Sequence, residues 1–157
     1  MGADDYYFDT SALFKRYIVE PGTELVDKLF STANMVFISN LTIVEFISNL
    51  KRLTDIDGII DHRAFEAIKN EFFNEISGGV INIESLTSSM IVNAAGLLEN
   101  KYITPIDSLQ LSTALALKKK YQDLEFVSAD YKLSVLAEEY GLKVIHIEKA
   151  SPNPDPF

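Results

Sequence analysis

"YYFDTSALFKRYIVEPGTE", residues 6–24, sets three aromatics directly before Asp-Thr-Ser and then continues in a helical pattern. Aromatics in a short run ahead of a helix read as a buried strand. Asp9 therefore stands where strand becomes helix, a position that suits a helix cap or a site residue. Outward from this point, short apolar strands alternate with longer amphipathic helices. Strands are expected at 5–8, 35–38, 80–83, 125–127 and 143–147. Helices are expected at 10–19, 23–33, 41–54, 60–76, 87–100, 105–120 and 129–140. Pro21-Gly22 separates the first two helices, Gly78-Gly79 ends the fourth, and Gly141 suits the C′ position before the last strand. Such alternation implies an α/β fold of three layers, α/β/α, around a central, mainly parallel sheet. The expected organisation is one domain over residues 1–149 and a flexible tail at 150–157, where "SPNPDPF" carries three prolines in seven residues.

Composition limits what such a domain does. With 157 residues, 47% hydrophobic and 24% charged, the chain can bury a sizeable core. Its apolar runs are far shorter than the roughly 18 residues needed to span a bilayer, and "MGADDYYF" has acids where a signal peptide has basic residues. A cytoplasmic protein without membrane contact is expected. The absence of cysteine excludes disulfides, thiol nucleophiles and Cys-ligated zinc, and two isolated histidines argue against a His-based metal site. A net charge of −9 argues against a general electrostatic nucleic-acid binder, yet leaves room for an enzyme that meets phosphate through a bound cation.

Ligands of parallel α/β sheets bind beyond the carboxyl ends of the strands. Four acids fall there: Asp9 after the first strand, Glu45 in "SNLTIVEFISNLKRL" after the second, Asp107 in "TPIDSLQLSTALALKKK", and Asp130 after "FVSA". Each has a structural reading when taken singly. Asp9 suits an N-cap, Asp107 lies three residues after Thr104 in a capping-box pattern with Pro105 at N1, Asp130 complements a helix dipole, and Glu45 fits a solvated face opposite Ile43, Phe46, Ile47 and Leu50. Their joint placement favours a site. No charged residue occurs between Ser108 and Leu117, so the helix that Asp107 enters is expected to be buried on most sides, where a carboxylate needs a neutralising partner. Hard cations such as Mg²⁺ or Mn²⁺ prefer such oxygen donors.

The succession "YYFDTSAL", "ISNLTIVEF", "ITPIDSLQLSTALAL" and "FVSADYKLSVLAEEYGLKVI" resembles the PIN domain, particularly the VapC-like ribonucleases of toxin–antitoxin systems, over residues 5–147. The resemblance implies a Mg²⁺- or Mn²⁺-dependent endoribonuclease in which Asp9, Glu45, Asp107 and Asp130 form the catalytic, metal-binding site. It implies an orienting hydrogen bond from Ser128 and products with a 5′-phosphate and a 3′-hydroxyl. It further implies a homodimer and a cognate antitoxin whose basic segment meets the acidic groove. Thr10 and Ser11 match hydroxyl positions for which helix capping, a carboxylate hydrogen bond or a phosphate contact are open, capping ranking first. Lys15, Arg16, Lys51, Arg52 and Lys132 lie near the acids in sequence, as an RNA rim or as solvated helix faces. Many relatives carry Arg before the third acid and His after it. Here Pro105, Ser108 and Gln110 surround Asp107, which removes those contacts and leaves the carboxylate.

Other classes fit less well. A haloacid-dehalogenase-type phosphatase needs a second Asp where Ser11 stands, and a receiver-like domain needs a Lys at the end of the last strand, which Lys143 instead begins. A housekeeping RNA-processing nuclease and a catalytically silent partner-binding scaffold are the alternatives within the family.

Overall fold

A computed structural model describes residues 3–148; the expected tail at 150–157 lies outside the described residues. Five strands, β1 (Asp5–Phe8), β2 (Met35–Ser39), β3 (Asn82–Glu84), β4 (Glu125–Ser128) and β5 (Lys143–His146), form one sheet in the order β3-β2-β1-β4-β5. Every pairing is parallel. Among the described residues there are also seven helices: α1 (Thr10–Phe14), α2 (Thr23–Thr32), α3 (Asn40–Asp55), α4 (His62–Ser77), α5 (Ser88–Asn100), α6 (Pro105–Lys120) and α7 (Tyr131–Glu139). The expected three-layer α/β/α arrangement is what the chain adopts. Among the described residues no helix is long and apolar enough to cross a membrane.

The aromatic run of β1 explains the layering, because consecutive side chains of a strand point to opposite faces. Tyr6 and Phe8, with Val36 and Ile38 of β2, pack against residues of α1 to α4 such as Leu13, Phe30, Phe46 and Phe72. Tyr7, with Phe37 and Phe126, packs on the other face against Leu97 of α5, Leu111 of α6 and Leu136 of α7. Both faces of β1 are thus buried, as a central parallel strand requires. The sheet order reverses at β1, which lies between β2 and β4. Asp9 and Asp130 leave these neighbouring strands side by side, and the Asp9 N–H donates to the Val127 carbonyl at 3.0 Å.

Several boundaries differ from expectation for local reasons. The first helix ends at Phe14 instead of 19, because the N–H groups of Lys15, Arg16 and Tyr17 reach back three residues to Ala12, Leu13 and Phe14 and tighten the chain into a turn. The third strand begins at Asn82 instead of 80, because the N–H groups of Val80 and Ile81 both donate to the Glu75 carbonyl and stay with the end of α4. Helix α7 begins at Tyr131 instead of 129, with Asp130 as its cap.

Gly22 fixes the turn between α1 and α2. It has φ +98°, and a Cβ there would meet Ile147 Cγ2 at 2.5 Å and the Glu148 carbonyl at 3.1 Å. Gly22→Ala therefore combines left-handed backbone strain with a clash against the strand exit. A loss of about 2–3 kcal/mol in urea unfolding is expected. A loss within about 0.5 kcal/mol, the size of an ordinary surface change, would contradict this close approach.

Candidate active site

Asp9 is 4% exposed, yet both carboxylate oxygens are occupied. Oδ1 accepts from the Ala12 N–H at 3.0 Å, which caps α1, and from Ser11 Oγ at 2.7 Å; Oδ2 accepts from Ser128 Oγ at 2.5 Å. The residue is therefore cap and site candidate at once. Burial pushes its carboxyl from 3.8 up to about 6, against the opposing pull of the Ser128, Ala12 and Ser11 donors, and the nearby charge of Asp130 adds to the rise.

Ser128 and Ser11 join Asp9 to the neighbouring strand exit. Ser128 Oγ accepts the Asp130 N–H at 3.0 Å while donating to Asp9, and Ser11 Oγ accepts the Ala129 N–H at 3.0 Å. Asp130 caps α7 through the Leu133 N–H at 3.1 Å. Neither Thr10 nor Ser11 is a helix cap, which corrects the role ranked first for both. The preceding Asp9 occupies the cap, and each hydroxyl donates to a carboxylate instead.

Thr10 Oγ1 donates to Glu45 Oε1 at 2.8 Å, which carries the network onto α3. The same Glu45 oxygen accepts from Gln110 Nε2 at 2.9 Å. Gln110 is 2% exposed, and its Nε2 also lies 2.9 Å from Thr42 Oγ1 and 3.2 Å from Thr10 Oγ1, while its Oε1 accepts the phenol of Tyr7. Burial, with the charges of Asp9 and Glu45, holds the Tyr7 phenol well above its usual pKa, so it remains a donor. The amide orientation follows: its oxygen faces Tyr7 and its NH₂ faces Glu45. Glu45 Oε2 has no hydrogen bond among the described residues. Sequence reasoning passed over Tyr7, Thr42 and Gln110 as members of this network. The usable signal was the uncharged stretch after Asp107, where a buried Gln must find polar partners.

Asp107 enters from α6, capped by Thr104 Oγ1 at 3.2 Å. Burial raises its pKa; the Thr104 hydrogen bond opposes that shift, and the charges of Asp130 and Glu45 add to it. Asp9 and Asp130 thus sit at the exits of β1 and β4, Glu45 in the second turn of α3 and Asp107 in the first turn of α6, linked by hydroxyls or within electrostatic reach of one another. Among the described residues, no group of three or more Asp, Glu or His side chains is already gathered tightly enough to hold a metal ion. The donors are all oxygen, the chemistry that Mg²⁺ and Mn²⁺ prefer.

Lys15 and Arg16 are committed within the chain. Lys15 is 2% exposed and donates to Glu20 Oε1 at 3.0 Å and to the Pro21 carbonyl at 2.9 Å. Arg16 forks onto Glu75 at 2.7 and 3.3 Å, pairs with Asp27 at 3.1 Å and covers the Phe30 ring. As placed, both hold α1 to its neighbours, and neither offers a free phosphate contact. Lys51 pairs with Asp55, whereas Arg52 and Lys132 project from α3 and α7.

Comparison with known proteins agrees with this architecture. No curated protein sequence matches. Among solved structures, the chain is similar to VapC20 of Mycobacterium tuberculosis, described as a sarcin–ricin loop cleaving toxin. That match has TM-score 0.61 and 18% identity, covering 83% of this chain and 94% of the other. FitAcB from Neisseria gonorrhoeae gives TM-score 0.62 and 16% identity over 90% and 96% of the two chains. DNA-bound VapBC from Salmonella typhimurium gives 0.58 and 14% over 91% and 98%. The PIN domain profile matches residues 6–146, nearly the whole described chain and all four acids. This chain belongs to the PIN domain family.

Proposed function

We propose that the chain is an endoribonuclease that hydrolyses RNA phosphodiester bonds with Mg²⁺ or Mn²⁺ and serves as the toxin of a toxin–antitoxin pair. The observation that carries this reading is the joining of Asp9 to Asp130 through Ser128 at the point where the sheet order reverses, with Glu45 steered toward the same edge by Thr10 and Gln110. Family membership supports nuclease chemistry, and the description of VapC20 supports RNA as the substrate. The FitAcB and VapBC structures to which the chain is similar support a protein partner, read here as an antitoxin. A homodimer belongs to the same reading.

In this reading Asp9, Glu45, Asp107 and Asp130 hold the cation. A divalent cation held by these oxygens would supply water activation and charge neutralisation at the scissile phosphate. The chain's own residues do the rest. Asp9 binds as the carboxylate, while Ser128 and Ser11 keep its two oxygens aimed. Glu45, held through Oε1, keeps Oε2 available to orient an attacking water.

The test is cleavage of a labelled structured-RNA pool with Mg²⁺, Mn²⁺ or EDTA by wild type, Ser128→Ala and Asp107→Asn. Ser128→Ala is expected to lose about 10–100-fold, the usual effect of removing a hydrogen bond that orients a ligand. Asp107→Asn, which removes a ligand itself, is expected to lose more. Equal cutting by all three would point to a contaminant. No cutting together with no cation binding by wild type would sink the site.

A further inference from the structure

A cleft of about 770 Å³ opens beside the acids, bounded by Ser11 and Asp130 at one end and running between α1, α3 and the start of α7. Its size falls within the roughly 300–1,000 Å³ of small-ligand sites. The lining is unlike the rest of the molecule. In a chain of net charge −9, it brings Lys15, Arg52 and Lys132 together against only Glu20 and Asp130. Lys15 is neutralised by Glu20, so the cations that face solvent are Arg52, whose one carboxylate contact is a long 3.9 Å approach to Asp57, and Lys132. Phe14 and Leu53 supply an apolar floor. Tyr131, directly after Asp130, is 70% exposed, its ring braced edge-on by His146 at 5.7 Å between centroids.

An exposed aromatic costs apolar hydration and contributes nothing to either core. Sharing one cleft with two cations, it is the combination that single-stranded nucleic acid uses: a ring on which a base stacks and charges that follow the backbone. We propose that this cleft is a nucleotide subsite for one single-stranded RNA residue flanking the scissile phosphate, its base stacked on Tyr131 and its phosphate held by Arg52 and Lys132. The inference rests on the nuclease reading and extends it to how the strand is gripped. Asp130, Tyr131 and Lys132 then supply ligand, stacking face and counter-charge from three consecutive residues.

The experiment is fluorescence anisotropy of the full chain with a labelled 12-nucleotide single-stranded RNA of mixed sequence, in Ca²⁺ to keep the strand whole, beside Mg²⁺-dependent cleavage of the same RNA. Tyr131→Ala is expected to weaken binding about tenfold and Tyr131→Phe to stay within about twofold, since stacking needs the ring and not the hydroxyl. Lys132→Ala is expected to flatten the dependence of log affinity on log salt by about 0.7, the loss of one phosphate contact on a single strand. These side chains are exposed, so folding is not at stake. Cleavage by wild type with unchanged affinity in Tyr131→Ala would overturn the subsite and leave the nuclease reading standing. Tyr131-dependent binding without any cleavage would do the reverse. No RNA binding by wild type, or unchanged RNA affinity with loss of a protein partner, would overturn the subsite, the latter assigning the cleft to a peptide.

Discussion

Asp9→Asn is expected to stabilise the cation-free protein at pH 7.5 while removing its nuclease activity. An unfolded Asp titrates near 3.8 and the folded Asp9 near about 6, so between those values the folded chain holds a proton that the unfolded chain has lost. Stability from this group is full below about pH 4 and declines as pH rises through about 6. The difference corresponds to about 3 kcal/mol at neutral pH. The amide that replaces the carboxylate has nothing to ionise. Its Oδ1 can still accept from Ala12 and Ser11, and its Nδ2 can donate to Ser128 Oγ, so cap and bridge persist. Urea unfolding in EDTA should therefore show the variant gaining about 2 kcal/mol more over wild type at pH 7.5 than at pH 4.5. Added Mg²⁺ should stabilise wild type and leave the variant unmoved, because a ligand stabilises only the state that binds it. If the variant's advantage were the same at both pH values, Asp9 would not be the strained carboxylate described here. A site held under strain for function, and relieved by losing it, is the pattern to which catalytic residues often conform.

Local chemistry made the sheet legible. Tyr6, Tyr7 and Phe8 form a short aromatic run that suits a strand covered on both faces, and Asp9 marks its end because a carboxylate is costly in such a strand. The acids were legible for the same reason: chain position relative to strand exits fixes which edge a residue occupies. Contacts across long separations were not. Gln110 lies 103 residues from Tyr7 and 65 from Glu45, and periodicity states only that its helix is buried, not what its amide meets. Lys15 reads as a solvated base, yet the turn at Pro21-Gly22 folds Glu20 and a backbone carbonyl over its ammonium. Val80 and Ile81 have strand composition, but their N–H groups are claimed by the Glu75 carbonyl, a competition that propensity does not register.

Gln110 tests that long-range network. Gln110→Leu removes one acceptor and the NH₂ group, leaving the buried Tyr7 phenol and Thr42 without these partners and Glu45 Oε1 with Thr10 alone. Each orphaned group costs about 1–3 kcal/mol, so a loss of about 3 kcal/mol or more is expected at every pH. Gln110→Glu keeps the shape and the acceptor for Tyr7, but places a carboxyl oxygen where the NH₂ now lies 2.9 Å from Glu45 Oε1. Two carboxyls at that distance share one proton, which raises the apparent pKa of the pair. The folded state then binds a proton that the unfolded chain releases near pH 4, so this variant should approach wild-type stability at pH 5 and lose ground as pH rises toward 8. Glu45 loses its aim in both variants, and kcat should fall about 10–100-fold with little change in KM. The two variants therefore separate packing from electrostatics: one is weakened at all pH values, the other only where the second proton has left. Equal stability of Gln110→Glu and wild type at pH 8 would mean that the amide does not meet Glu45, and the positioning of Glu45 would then rest on Thr10 alone.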